Sequence, residues 1–130
     1  MKLLSLLAAV LFASASGASA APKIVEFHIP AGTGEGAWNT QDNPVTANVG
    51  DTIRIINDDT IPHYLHTNYD KPCKHGSKSF KQGESYDCVV INALDVGSVP
   101  NCYDHQFGAD AAFWVKATKQ FDDDLDSDND

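Results

Sequence analysis

Thr52-Ile53-Arg54-Ile55-Ile56-Asn57 is a run of β-branched residues with turn signals on both sides: Gly50-Asp51 before it and Asp58-Asp59-Thr60 after it. Such a run favours a pleated, half-buried strand, because branched side chains pack well on a pleated surface and lose rotamer freedom in a helix. The same alternation of short apolar runs and turn residues recurs along the chain. Lys23 to Ile29 alternates with Val25, Phe27 and Ile29 on one face and Ile24, Glu26 and His28 on the other, and Pro30 ends it. Further strands are expected at Val45–Val49, Pro62–His66, Ser85–Ile91, Pro100–Tyr103 and Ala112–Ala117, and no segment has a convincing helical period. Short strands divided by frequent turns predict an all-β fold, a sandwich or barrel, rather than an α/β one.

Residues 1–20 read separately. Met1-Lys2 gives a positive start, Leu3 to Phe12 an apolar run, and Ala18-Ser19-Ala20 a small-x-small cleavage signal. This is the layout of a secretory signal peptide, with an apolar run too short for a stable membrane span. A mature domain of residues 21–119 is then expected in the periplasm or outside the cell, followed by an acidic, disordered tail at 120–130. The six Asp of that tail repel one another and cannot bury a core. A calcium-loop reading of the tail lacks the turn Gly and the closing Glu.

Charge excludes one class of partner. Nine Lys and Arg stand against 18 Asp and Glu, a poor balance for phosphate contacts, so no nucleic-acid partner is expected. The acidic surface suits a partner with a basic surface. The Gly-rich stretch Ala31-Gly32-Thr33-Gly34-Glu35-Gly36 is not followed by a helix whose N-terminus could face a phosphate, and is read as a plain loop. Thr67 to Gly83 is polar, contains Pro72, Gly76 and several Lys, and is also read as a loop.

The residues with chemistry to offer are the cysteines and histidines. Cys73, Cys88 and Cys102 allow three disulfide pairings in an oxidising compartment, each leaving one thiol over. Cys102 is therefore either half of a disulfide or a thiol in need of a role, such as metal binding. Two short segments stand out: the turn–strand–turn of Gly50 to Ile61 leading into Pro62-His63, and the Cys-x2-His of Cys102-Tyr103-Asp104-His105 ahead of the final strand.

In this order, inside an exported all-β chain, these segments resemble the cupredoxin family, particularly its plastocyanin-like members. Gly83-Glu84-Ser85-Tyr86 is similar to that family's turn into its penultimate strand, and the resemblance runs from about Val45 to Ala117. It implies a Greek-key β-sandwich in a single domain, one copper ion held by His63, Cys102 and His105, and a Cys73–Cys88 disulfide. Two imidazoles and a thiolate suit both oxidation states of copper. In the axial place, where the family commonly has Met, stands Asp110, an oxygen donor that would favour copper(II) if it binds. The resemblance implies a one-electron carrier acting with a redox partner protein; a monomer is expected, and an enzyme is the least expected reading because no Ser-His-Asp or paired-carboxylate arrangement stands out. Asp110, His66, His75 and the acidic tail lean instead toward a protein that stores or delivers copper, and a metal-free binding module is the third reading. His66, Cys73 and His75 could form part of a second metal site, but because Cys73 has a good covalent partner His66 and His75 are expected to face solvent, and His28 to be structural.

Overall fold

The computed structural model describes residues 21–120; the expected signal peptide and residues 121–130 of the acidic tail lie outside them. Among the described residues the regular elements are all strands: β1 (Ile24–Ile29), β2 (Val45–Asn48), β3 (Thr52–Asn57), β4 (Leu65–Thr67), β5 (Ser85–Val89), β6 (Cys102–Asp104), β7 (Gly108–Phe113) and β8 (Val115–Thr118). None of these residues forms a helix long and apolar enough to cross a membrane.

One sheet has the order β1-β3-β5, with β1 parallel to β3 and β3 antiparallel to β5. The period-2 reading of the sequence holds here. Ile53, Ile55 and Asn57 of β3 are buried, while Arg54 points outward and grips Asp87 with both Nε and Nη2, at 3.0 and 3.3 Å. On the other side β2 runs parallel to β8, and β4, β6 and β7 form an antiparallel sheet.

The expected final strand is two strands, because its ladder changes partner at Trp114. The Asn39 side chain supplies the missing hydrogen bonds there: its Oδ1 accepts from Trp114 N at 2.6 Å and its Nδ2 donates to Trp114 O at 2.8 Å. Buried backbone groups need such partners, and an amide side chain mimics a neighbouring strand.

The core lies between the sheets. Phe27 of β1 meets Phe113 of β7 with ring centroids 5.0 Å apart, and Trp38 packs on Phe113 (5.1 Å) and edge-on to Phe80 (6.3 Å). Ile29, Ile53, Ile55, Leu65 and Val90 are buried around them. Burial of aromatic and aliphatic surface of this kind is the main favourable term in folding.

Segment 68–84 is less of an open polar loop than its composition suggests. Pro72, Cys73, Gly76 and Phe80 are buried, and Cys73 is disulfide-bonded to Cys88 on β5. Asn101 Nδ2 donates to the carbonyls of Asn68 and Lys71, and Thr67 Oγ1 donates to Cys73 O. Gly76 N donates to Leu65 O at 2.9 Å, and a Cβ at Gly76 would run into that same carbonyl. A glycine is what allows the segment to lie flat on β4.

Candidate metal centre

Three histidines converge at one end of the sandwich. His66 sits on β4, His75 on the pinned segment just ahead of Gly76, and His105 in the turn between β6 and β7. Their ligand atoms form a small triangle. His75 Nε2 lies 2.8 Å from His66 Nδ1 and 3.2 Å from His105 Nδ1, and the last two are 3.3 Å apart. For a metal–nitrogen bond of about 2.0 Å, the nitrogens of a tetrahedral site stand about 3.3 Å apart. The triangle is thus close to the size of one face of such a site. Among the described residues this is the group of His, Cys, Asp or Glu side chains able to hold a metal ion.

The outer ring nitrogens give the triangle its chemistry. His75 Nδ1 donates to the carbonyl of Gly76 at 2.8 Å, and His66 Nε2 donates to Asn68 Oδ1 at 2.8 Å. An oxygen acceptor on the outer nitrogen places the proton there and leaves the inner nitrogen with a free lone pair, the arrangement common to metal-bound histidines. Two lone pairs facing each other at 2.8 Å repel unless a cation or proton lies between them, so the donor set fits a metal ion. Aromatic rings brace the group: Tyr103 stacks on His66 with centroids 4.2 Å apart, and Tyr64 lies 4.9 Å from His105. Tyr64 also donates its hydroxyl proton to Gly76 O at 2.9 Å. His66 and His75 are half-buried and turned toward each other, where the sequence suggested that they face solvent; His105 is exposed.

Of the residues expected to bind metal, the structure brings only His105 into this group. His63 is fully buried, with Nδ1 2.5 Å from Asp104 Oδ2 and Nε2 3.0 Å from Asp59 Oδ2. Both nitrogens are occupied and neither is left to ligate. Burial opposes a charge on this ring, but the hydrogen bonds to Asp104 and Asp59 outweigh it and raise the His63 pKa above the usual histidine value. Burial opposes ionisation of Asp59 as well. The bond to His63 and those from the amides of Gly34, Thr60 and Gly32 prevail, and its pKa falls to about 2. The Gly-rich stretch, read from the sequence as a plain loop, thus has an anionic ligand within the protein: Gly32 N and Gly34 N both donate to the Asp59 carboxylate, at 3.0 and 2.8 Å.

Cys102 is a free, buried thiol on β6, directed toward Lys71 O at 3.6 Å. Burial pushes its pKa up to about 12, the opposite of the lowered value a reactive thiol needs. Asp110 is exposed on β7 and stands apart from the three histidines. His28, expected to be structural, pairs with Asp58 at 2.7 Å on the surface.

Three small sheets packed around one core, with strands alone among the described residues, make this an all-β cupredoxin-like sandwich. A purple cupredoxin of Nitrosopumilus maritimus superposes on it with a TM-score of 0.52 and 19% sequence identity, over 72% of this chain and 99% of that one. No family model matches the sequence, and no curated protein does. The likeness is one of fold, and the donor set has to be read from this chain's own residues.

Proposed function

We propose that this protein binds a single copper ion through His66 Nδ1, His75 Nε2 and His105 Nδ1, and holds it for storage or delivery outside the cytoplasm. The observation that carries the reading is the triangle of ring nitrogens, with the outer nitrogens of His66 and His75 hydrogen-bonded to oxygen acceptors. Imidazole donors suit copper, zinc, nickel and iron, and copper(II) binds most tightly of the divalent ions to a given nitrogen site. The Cys73–Cys88 disulfide and the export signal read at residues 1–20 support an oxidising compartment.

The donor set favours holding copper over cycling it. A fast carrier of this fold class would draw on a thiolate such as Cys102, yet the Cys102 thiol lies outside the triangle and is directed toward Lys71 O. Three neutral nitrogens keep copper(II) bound without that covalent path. The one-electron-carrier reading keeps one supporting observation, the exposed His105, which offers an electron a short route to the surface. In that case the acidic chain would meet a redox partner with a basic surface.

Copper(II) titration of the protein, followed by native mass spectrometry and paramagnetic resonance, tests the proposal. One copper per chain with nitrogen hyperfine structure, lost on His75→Ala, is expected. Stoichiometric copper retained in His66→Ala and His75→Ala would refute it. Electron self-exchange measured on the copper form then separates carrier from store, slow exchange being expected.

A further inference from the structure

We propose that the buried chain Asp59–His63–Asp104 is a positioning device that holds the His105 imidazole at the metal site, an inference that rests on the three-histidine reading above.

The dipeptide His63-Tyr64 grips the dipeptide Asp104-His105 at two points. Asp104 Oδ2 lies 2.5 Å from His63 Nδ1, and His105 N donates to Tyr64 O at 2.7 Å. The turn that follows is wound around the Asp104 side chain. Asp104 Oδ1 accepts from Gln106 N at 2.9 Å, and the Asp104 carbonyl accepts from Phe107 N at 3.2 Å. His105 is the residue between these anchors, and its ring leans on Tyr64. The direction of the Asp104 carboxylate therefore sets the direction of the turn that carries His105.

The far end of the chain is equally fixed. Asp59 binds His63 Nε2, and its two oxygens also accept from the amides of Gly32, Gly34 and Thr60. The side chains of His63, Asp59 and Asp104 are 0%, 2% and 0% exposed. Burying such an ionic chain contributes little net stability compared with apolar side chains of the same volume. What it supplies is direction: hydrogen bonds between charged partners are short and angular, whereas apolar contacts are not. His63 is in this sense a positioning residue that acts through Asp104, with no contact to the metal.

The test compares Asp104→Asn, His63→Gln and the double variant with the parent protein. Apo thermal stability, copper(II) affinity by chelator competition and the copper paramagnetic resonance spectrum are recorded for each. Asp104→Asn is expected to weaken copper about tenfold, in the range found when groups supporting a ligand are removed, and to shift the hyperfine splitting. If His63 acts through Asp104, the double variant is no worse in affinity than the weaker-binding single variant. Folded single variants with unchanged affinity and unchanged spectra, or losses that simply add, would overturn the proposal. Should His63→Gln fail to fold, Asp59→Asn perturbs the far end of the same chain and is expected to produce a smaller loss in the same direction. Side-chain nitrogen NMR of the apo protein separates this inference from the copper reading. If the parent takes up no copper, the copper reading fails, and the positioning role is still decided. Loss of a single ordered His105 signal in Asp104→Asn, with His66 and His75 unchanged, supports it, and an unaltered His105 signal refutes it.

Discussion

His63 and the His66–His75–His105 cluster use the same side chain for opposite ends. His63 has a carboxylate on each ring nitrogen and is buried, surroundings that favour the imidazolium and raise its pKa. His66 and His75 each have a neutral oxygen acceptor on the outer nitrogen, Asn68 Oδ1 and Gly76 O, and turn their inner nitrogens toward each other and His105. A histidine between two anions serves as a structural cation, while one hydrogen-bonded on a single side to a carbonyl or amide is a poised ligand. The partner on the second nitrogen distinguishes them more sharply than burial does.

That comparison can be broken most directly by substitution. Replacing His66 or His75 with Ala is expected to lower copper(II) affinity by a hundredfold or more while leaving the apo melting temperature nearly unchanged. Isothermal titration and calorimetric scanning check the two halves. His63→Ala should fall mainly on stability, with only the smaller, about tenfold loss of copper affinity expected of a residue that supports a ligand. Removing the cation leaves Asp59 and Asp104 buried without their partner, a change that costs about 3–5 kcal/mol when a buried pair is broken, and urea unfolding measures it. An equal loss of copper affinity in all three variants, with no difference in stability, would erase the distinction.

Next in size is the disulfide. Cys73 stands two residues before His75 and is bonded to β5 fifteen residues further along the chain. Replacing Cys73 and Cys88 together by Ser should cost about 3 kcal/mol of stability for a closed loop of this length. It should also weaken copper binding, because His75 loses part of its anchor.

The pH dependence of stability sharpens the contrast further. His63 has a raised pKa, so its contribution is complete below the unfolded histidine value and is lost as pH rises through the folded one. Asp59 has its pKa lowered from 3.8 to about 2. Its contribution is therefore present above 3.8 and lost as pH falls toward 2. Melting temperature against pH should show both limbs, and His63→Gln should abolish the alkaline one. The smallest effect is expected for Cys102→Ser: with its thiol buried and apart from the histidines, stability should change by about 1 kcal/mol and the copper spectra not at all.

The strands were readable because their alternation is local. Val25, Phe27 and Ile29, then Ile53 and Ile55, mark an inner face without help from the rest of the chain. Two departures have long-range causes. The break at Trp114 depends on Asn39, 75 residues away, and β4 begins at Leu65 because His63 instead bridges to Phe80. The Cys73–Cys88 pairing, implied by the family resemblance, is present.

The site was legible only in part. His105 was read as a ligand, but the Pro62-His63 motif does not reveal that Asp59 and Asp104 close on both nitrogens, since Asp104 is 41 residues away. His66 and His75 lie on either side of a segment whose path is set by a glycine, a disulfide and Asn101. None of these has a period to read. One sequence signal was available: His75 lies between a cysteine and a glycine, inside a segment that a disulfide would tie down.

The central claim, that three imidazoles hold the metal without Cys102, is tested most directly by the absorption and paramagnetic resonance spectra of the copper(II) protein. The proposed three-histidine site predicts one copper with nitrogen hyperfine coupling and no intense thiolate-to-copper band. A strong band that disappears in Cys102→Ser would contradict it and return Cys102 to the metal.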